Sequence, residues 1–225
     1  MRKYSPRCAL LICSSTKPAT TRSTATNFVC LPPLRTTDDQ ATLWEALANG
    51  EIQTSASDHT TYTSSEKLGP YNAFTDIPPG FASVQTGFGL LYARGVGDGR
   101  ITVEQFVAIT SANSAKLFGL WPRKGQIAVG ADADLVLIDP ALRMTINQNR
   151  MESASDYDPF DGVTVTGWPK TCLARGEIVY TDRTIRSRPG RGRWLFRDLS
   201  TADQGDPMTP HFGPSTPKPQ QGAQP

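Results

Sequence analysis

The chain has few of the residues from which metal sites and nucleophilic sites are usually built. Its 225 residues include only two histidines, His59 and His211, and four cysteines with no CxxC spacing. A metal cage made mainly of histidine is therefore excluded, because zinc sites normally need three or four converging His, Cys or carboxylate groups. The widely spaced cysteines predict free thiols in a reducing compartment rather than a disulfide framework.

Long apolar runs and phosphate-binding loops are also missing. The longest apolar run near the start covers residues 8–13, far short of the roughly 20 residues that a membrane helix needs, so we expect no membrane partner. The glycines at 95–99 lack the spacing and the lysine of a P-loop. Ser57, Asp58 and His59 cannot form a catalytic triad as strand neighbours, because consecutive side chains on a strand point to opposite faces.

Charge is nearly balanced, with 23 Lys+Arg against 21 Asp+Glu, but it is unevenly distributed. Residues 1–37 contain no acidic residue, which is typical of transit peptides. We expect a cytoplasmic protein, with a mitochondrial location as the alternative. Residues 1–26 are rich in Ser and Thr without periodicity, and residues 196–225 are rich in Pro, Gly and Gln. Both ends are predicted to be disordered.

Residues 27–119 have the pattern of an α/β unit with parallel strands. We predict a buried strand at 27–31, a helix at 38–48 opened by a Thr37/Gln40 capping box, and a second strand at 51–58. Residues 67–99 are predicted to form a long loop. A second capping box, Thr102/Gln105, opens a helical stretch that ends near Gly119.

Residues 120–195 instead show short strand patterns separated by turn residues, which predicts a small β module. The strands are expected at Leu135–Asp139, Arg143–Asn147, Gly162–Thr166, Thr171–Ala174 and Glu177–Tyr180.

Asp58 is the residue to which we assign chemistry. It lies at the carboxyl end of a predicted parallel strand, where α/β barrels place catalytic groups. From position alone, however, an aspartate that caps a turn explains Asp58 better. We expect its neighbour His59 to be a packed or hydrogen-bonded residue rather than a ligand.

Several motifs, in the same order along the chain, resemble the cyclic amidohydrolases, the dihydropyrimidinases and hydantoinases. They cover about residues 27–195, whereas residues 1–26 do not resemble the family and are interpreted as an N-terminal extension outside it. The motifs are Leu31-Pro-Pro-Leu-Arg35, Ala48-Asn-Gly50, Ser57-Asp58-His59, Asp76-Ile-Pro-Pro-Gly80, residues 106–119, Pro122-Arg-Lys-Gly125, residues 127–134, Asp158-Pro-Phe-Asp-Gly162 and residues 174–180.

The resemblance implies the C-terminal part of a metal-dependent (α/β)8 barrel, with its last two strand–helix units at 27–119 and part of a small β-sandwich at 120–195. It also implies a binuclear zinc site, whose hydroxide opens the ring of a small cyclic amide or imide to an N-carbamoyl amino acid. Asp58 matches the family's catalytic, metal-binding aspartate after barrel strand eight. Asp132 and Asp134 would be structural. The resemblance also implies a homotetramer, the assembly expected of complete members of the family.

The sequence departs from the family pattern at the metal and substrate positions. The His-x-His pair, the carboxylated lysine and the two later histidines have no counterpart here, so we expect this chain alone to be inactive and not to retain zinc. Leu31 and Pro79 stand where the family has polar substrate-binding residues, and Gly87 stands where an arginine is common. The alternatives are a non-catalytic scaffold or assembly protein and a truncated gene product, for which aggregation or low stability is expected because two strands cannot close a barrel.

A cluster of arginines at 183–197 is the only feature that suggests nucleic-acid binding. We expect instead a solvated segment that packs Trp194, with no nucleic-acid partner.

Overall fold

The computed structural model describes residues 7–9 and 25–197. These residues form a two-stranded parallel sheet with helices, followed by a four-stranded antiparallel sheet. The helices are α1 (Thr37–Ala48), α2 (Ser64–Leu68), α3 (Val84–Leu91), α4 (Val103–Val107) and α5 (Asn113–Leu117). The strands are β1 (Arg7–Ala9), β2 (Thr54–Ala56), β3 (Leu135–Thr145), β4 (Thr164–Ala174), β5 (Glu177–Thr181) and β6 (Thr184–Ile185). None of the helices in these ranges is long and apolar enough to cross a membrane.

The parallel pair is made by β1 and β2, with Arg7 opposite Thr54. The α/β prediction for this part of the chain is thus confirmed, but the strands differ from those expected. The expectation of disorder is wrong at Arg7–Ala9, because a partner 47 positions further along the chain supplies the hydrogen bonds that the local sequence cannot predict. The rest of the expected disordered N-terminus, up to residue 24, and the tail beyond residue 197 lie outside the described residues.

The strand predicted at 27–31 is wrong. Thr26–Phe28 form a 3-10 turn instead, in which the backbone N–H of Val29 donates to the carbonyl of Thr26. The carbonyl of Val29 then accepts from Gly80 and from the side chain of Lys67 rather than from a neighbouring strand. The apolar run is therefore held by loop contacts, and two prolines follow it.

Helix α1 confirms the helix predicted at 38–48, with a different cap. Thr36 is the N-cap and Asp39 completes the capping box, one residue earlier than the expected Thr37/Gln40 pair. Arg35 adds an ion pair to Asp39, with 3.3 Å between the Nε and Oδ2 atoms. The Thr102/Gln105 box is confirmed, and the Gln105 side chain also donates to a backbone carbonyl at the end of α1.

The prediction that residues 67–99 form a long loop is wrong. Helix α3 and a π-helical continuation at Tyr92–Gly97 fill the second half of this range. The glycines that suggested a loop allow close packing here. A Cβ on Gly89 would lie 2.4 Å from ring atoms of Trp168, so glycine lets α3 lie directly against β4.

In the β module, the first two predicted strands are one continuous strand, β3, and the next two are one strand, β4. Pro140 and Gly167 suggested that each strand is interrupted. Both strands instead continue, and the pairing of β3 with β4 shifts in register between Asp139 and Arg143. Buried residues of the helices and of the sheet form one hydrophobic cluster: Trp44, Leu47, Ile52, Phe81, Leu90, Leu91, Ala93, Ile101, Phe106, Ile109, Met144, Ile146, Phe160, Val165 and Trp168. The two parts of the chain therefore share a core.

Ion pairs link residues within the segment before β3, and a hydrogen bond connects this segment to the β4–β5 turn. Lys124 binds both Asp132 and Asp134, and the backbone N–H of Arg175 donates to Asp134 over 2.7 Å. The hydrogen bond from Lys124 lowers the pKa of Asp132. These contacts are structural, as the resemblance implied for both aspartates.

The arginine-rich segment crosses the β4–β5 turn. Arg191 donates to the carbonyl of Ala174 over 2.8 Å and lies 3.1 Å from the carboxylate of Glu177. Trp194 is 82% exposed, so the expectation that this segment packs its tryptophan is wrong.

Candidate active site

The residues after β2 form a tight loop that presents Asp58. Its backbone has a φ of 48°, in the left-handed region that is uncommon for residues other than glycine, although aspartate tolerates it better than most. The side chain is exposed. An exposed carboxylate at the end of a parallel strand is free to bind a cation or to take part in proton transfer.

Ser83, just before α3, fastens this loop on both sides of Asp58. Its hydroxyl donates to the carbonyl of Ser57 over 2.7 Å, and its backbone N–H donates to Nδ1 of His59 over 2.9 Å. The N–H of Val84 also donates to this nitrogen, over 3.2 Å. His59 is thus the hydrogen-bonded neighbour that we expected.

Lys67 is the second element of the site, and sequence patterns did not reveal it. The side chain is fully buried, and its ammonium donates to the carbonyls of Val29 over 2.9 Å and of Pro78 over 2.6 Å. It also lies 5.3 Å from the ring centre of Tyr62. Burial lowers the pKa of Lys67 to about 8. No sequence signal could have found this residue, since lysine is almost never fully buried.

The Lys67 contacts join the two loops that carry the expected substrate positions. Leu31 lies two residues after Val29 and is 68% exposed, while Pro79 follows Pro78 directly and is also exposed. The N–H of Gly80 donates to the carbonyl of Val29 over 2.8 Å, which closes the connection. Neither Leu31 nor Pro79 has a polar side chain. Only their backbone groups could hydrogen-bond to a ring amide.

Cys30 lies in the same electrostatic neighbourhood as Asp58 and Lys67. Burial raises the pKa of the Cys30 thiol, Lys67 opposes that rise, and the charge of Asp58 adds to it. Cys30 and Cys172 are free thiols, as expected for these two of the four cysteines.

The loop before β4 makes hydrogen bonds to the segment that contains Lys67. The hydroxyl of Ser155 donates to the carbonyl of Tyr62 over 2.7 Å, and Asp156 accepts from the N–H of Ser64 at the start of α2. Asp158 accepts from the N–H of Phe160 over 2.7 Å, and burial raises the pKa of its carboxyl to about 6. The segment 62–67 is therefore anchored to the β module.

A complete metal cage is not formed within the part of the chain that the structure describes. No group of three or more His, Cys, Asp or Glu side chains there converges on a point that could hold an ion. Asp58 fits as one ligand, with an accessible carboxylate, whereas both nitrogens of His59 are already in hydrogen bonds. Any metal bound by Asp58 needs further ligands from outside the described residues.

Comparison with known protein families identifies the family to which the chain belongs. The model of the amidohydrolase family matches residues 9–179, about three quarters of the chain. The chain belongs to the amidohydrolase family. The match starts within residues 1–26, the segment that we expected to lack family resemblance.

Individual amidohydrolases agree with this assignment. The chain is 45% identical to D-hydantoinase from Geobacillus stearothermophilus over 172 residues, which are 76% of this chain and 36% of that protein. It is 40% identical to D-phenylhydantoinase from Escherichia coli K12 over 171 residues, which are 76% of this chain and 37% of that enzyme.

Solved structures give the same result. A D-hydantoinase (dihydropyrimidinase) from Thermus sp. superposes with a TM-score of 0.75 at 40% identity, covering 78% of this chain and 38% of its own. An L-hydantoinase (dihydropyrimidinase) from Arthrobacter aurescens has a TM-score of 0.73 at 29% identity, with 80% and 40% covered. The chain thus spans little more than a third of the length of these relatives, consistent with a fragment of a TIM-barrel amidohydrolase.

Proposed function

We propose that this amidohydrolase chain supplies the last two strand–helix units and part of the small β domain to a cyclic-amide hydrolase of the hydantoinase or dihydropyrimidinase type. The observation that carries the proposal is the position of Asp58, exposed after β2 in a stretch that is 40–45% identical to hydantoinases. The substrate is a small cyclic amide or imide, and complete members imply a homotetrameric assembly.

The proposed cofactor is zinc, and Asp58 is its proposed ligand in this chain. Bound zinc would supply Lewis-acid polarisation of the ring carbonyl and an activated water. Asp58 would hold the cation through its carboxylate. The same carboxylate would accept the proton of the attacking water and pass it to the ring nitrogen, so that a C–O bond forms as the C–N bond of the ring breaks and an N-carbamoyl amino acid results.

The test combines zinc content with ring opening of hydantoin and dihydrouracil, measured on the purified chain and on the chain mixed with the N-terminal part of a hydantoinase. The mixture is needed because the chain alone is expected to be inactive and Asp58 needs further metal ligands. Turnover with bound zinc, both abolished by Asp58→Asn, supports the proposal. Asp132→Asn is the matched control, since that carboxylate lies in the structural ion-pair network and its loss leaves turnover per bound zinc unchanged. Zinc binding and turnover that both survive Asp58→Asn would contradict the proposed role of Asp58.

A non-catalytic scaffold or assembly protein is the second candidate. It is favoured by the incomplete ligand set among residues 7–9 and 25–197 and by the apolar side chains at Leu31 and Pro79. Absence of zinc and turnover in both preparations, together with a defined oligomer in solution, would favour the scaffold function.

A further inference from the structure

The ring of His59 has defined hydrogen-bond roles. Two backbone N–H groups, of Ser83 and Val84, point to Nδ1, so this nitrogen must be an unprotonated acceptor. The proton of the neutral ring is then on Nε2, which donates to the hydroxyl of Thr61 over 3.1 Å. This assignment follows from the donors alone and leaves neither nitrogen available to a cation.

His59 also replaces a helix cap. Ser83 occupies the N-cap position of α3, but its side chain makes no capping hydrogen bond, because its hydroxyl is directed to the carbonyl of Ser57. The N–H groups at the start of a helix need acceptors, and Nδ1 of His59 provides one from a different loop. The loop after β2 and the start of α3 are thereby joined through buried Ser83, which is 3% exposed.

Asp58 lies between the two residues that make these contacts. A further bond runs from the N–H of Thr60 to the carbonyl of Phe81 over 3.2 Å, so the loop is attached to residues 81–84 at three points. A left-handed backbone at a residue other than glycine persists only where its surroundings hold it. The contacts on both sides of Asp58 provide that restraint.

We propose that His59 is a positioning residue, which holds Asp58 in its left-handed conformation by tying the loop after β2 to the start of α3. The functional meaning of this role rests on the proposed function, in which Asp58 is a metal ligand. The contact itself does not depend on that function.

Two conservative substitutions distinguish the hydrogen bonds of Nδ1 from the hydrogen bond of Nε2. In His59→Asn the side-chain oxygen lies near the position of Nδ1 and can accept from Ser83 and Val84. In His59→Gln the longer side chain reaches toward Thr61 and leaves the start of α3 without its acceptor. His59→Ala removes both contacts.

The readout is NMR of the full chain without metal. The three-bond coupling and the carbon shifts of Asp58 report its φ angle, and amide exchange at Ser83 and Val84 reports the hydrogen bonds to Nδ1. In His59→Ala and His59→Gln we expect about tenfold faster exchange at both amides and loss of the left-handed signature at Asp58. His59→Asn keeps exchange within about threefold of wild type and keeps that signature.

Unchanged Asp58 signals in His59→Ala and His59→Gln would overturn the proposal. If the alanine variant fails to fold, the comparison of Asn with Gln decides, and equal behaviour of these two also overturns it. Zinc binding and ring opening are measured separately. A chain that fails those assays even when mixed with the N-terminal part of a hydantoinase, but shows the Asn-against-Gln difference, refutes the proposed function while the positioning role stands.

Discussion

Replacement of Lys67 by methionine tests whether a buried cation holds the two candidate substrate loops together. Methionine keeps most of the volume of the side chain and removes the ammonium. The carbonyl of Pro78 then loses the donor that lies 2.6 Å away, whereas the carbonyl of Val29 keeps the N–H of Gly80. An orphaned buried acceptor costs about 1–3 kcal/mol, so we expect Lys67→Met to lower the free energy of unfolding by about 2 kcal/mol at pH 10.5, where the neutral amine of the wild type still donates to Pro78.

The pH dependence makes this prediction specific. Burial lowers the pKa of Lys67 to about 8, from its ordinary value of 10.5. Between these values the unfolded chain binds more protons than the native one, so native stability rises with pH. The methionine variant lacks this contribution. The gap between wild type and variant is therefore expected to widen by about 1–3 kcal/mol between pH 8 and 10.5.

Urea unfolding followed by circular dichroism at several pH values measures both effects. Lys116→Met is the matched control, because Lys116 is exposed and likewise lies over an aromatic ring, 5.1 Å from the centre of Trp121. The control is expected to change stability by less than about 0.5 kcal/mol. A Lys67→Met variant as stable as wild type at pH 10.5, or a gap that is the same at pH 8 and 10.5, would refute the reasoning.

Three further substitutions test the surroundings of the site. Asp58→Asn is expected to keep the unfolding midpoint, since asparagine tolerates a positive φ, whereas Asp58→Val should lower stability by about 1–2 kcal/mol in the same urea assay. Asp158 has a native pKa of about 6, raised by burial from 3.8, so its stabilising contribution is lost as pH rises from about 4 to 6. Asp158→Asn, which can still accept from Phe160, should be more stable than wild type above pH 6 by about 1–3 kcal/mol, and equal pH profiles would contradict this. Gly80→Ala would place a Cβ 1.9 Å from the hydroxyl oxygen of Thr60 at a φ of 115°, so we expect thermal melts to show a loss of about 2–4 kcal/mol that Thr60→Ala restores only in part.

The elements that could be predicted from the sequence are those whose signals lie within a few residues. The Thr102/Gln105 box specifies the start of α4, because both partners of the cap are three residues apart. Asp58 could be identified as the candidate ligand because a contiguous motif, Ser57-Asp58-His59, carries the family resemblance. The apolar spacing in α1 likewise gave its position to within one residue.

The glycine-rich stretch at 84–97 shows where local signals are misleading. Glycine weakens an isolated helix, and the composition therefore favours a loop. In the folded chain, the same glycine at 89 lets the ring of Trp168 approach α3 more closely than any side chain would allow. The gain from that packing outweighs the low helix propensity, and it exists only when β4 is in place.

By itself, the sequence determined the family, the α/β character of residues 27–119, the limits of α1, the start of α4 and the choice of Asp58. Only the tertiary structure decided how Asp58 is held and that Lys67 is buried. The partners explain the difference: His59 meets Ser83 across 24 positions and Lys67 meets Val29 across 38. Contacts over such separations leave no periodic trace, because they depend on how loops meet after the chain has folded.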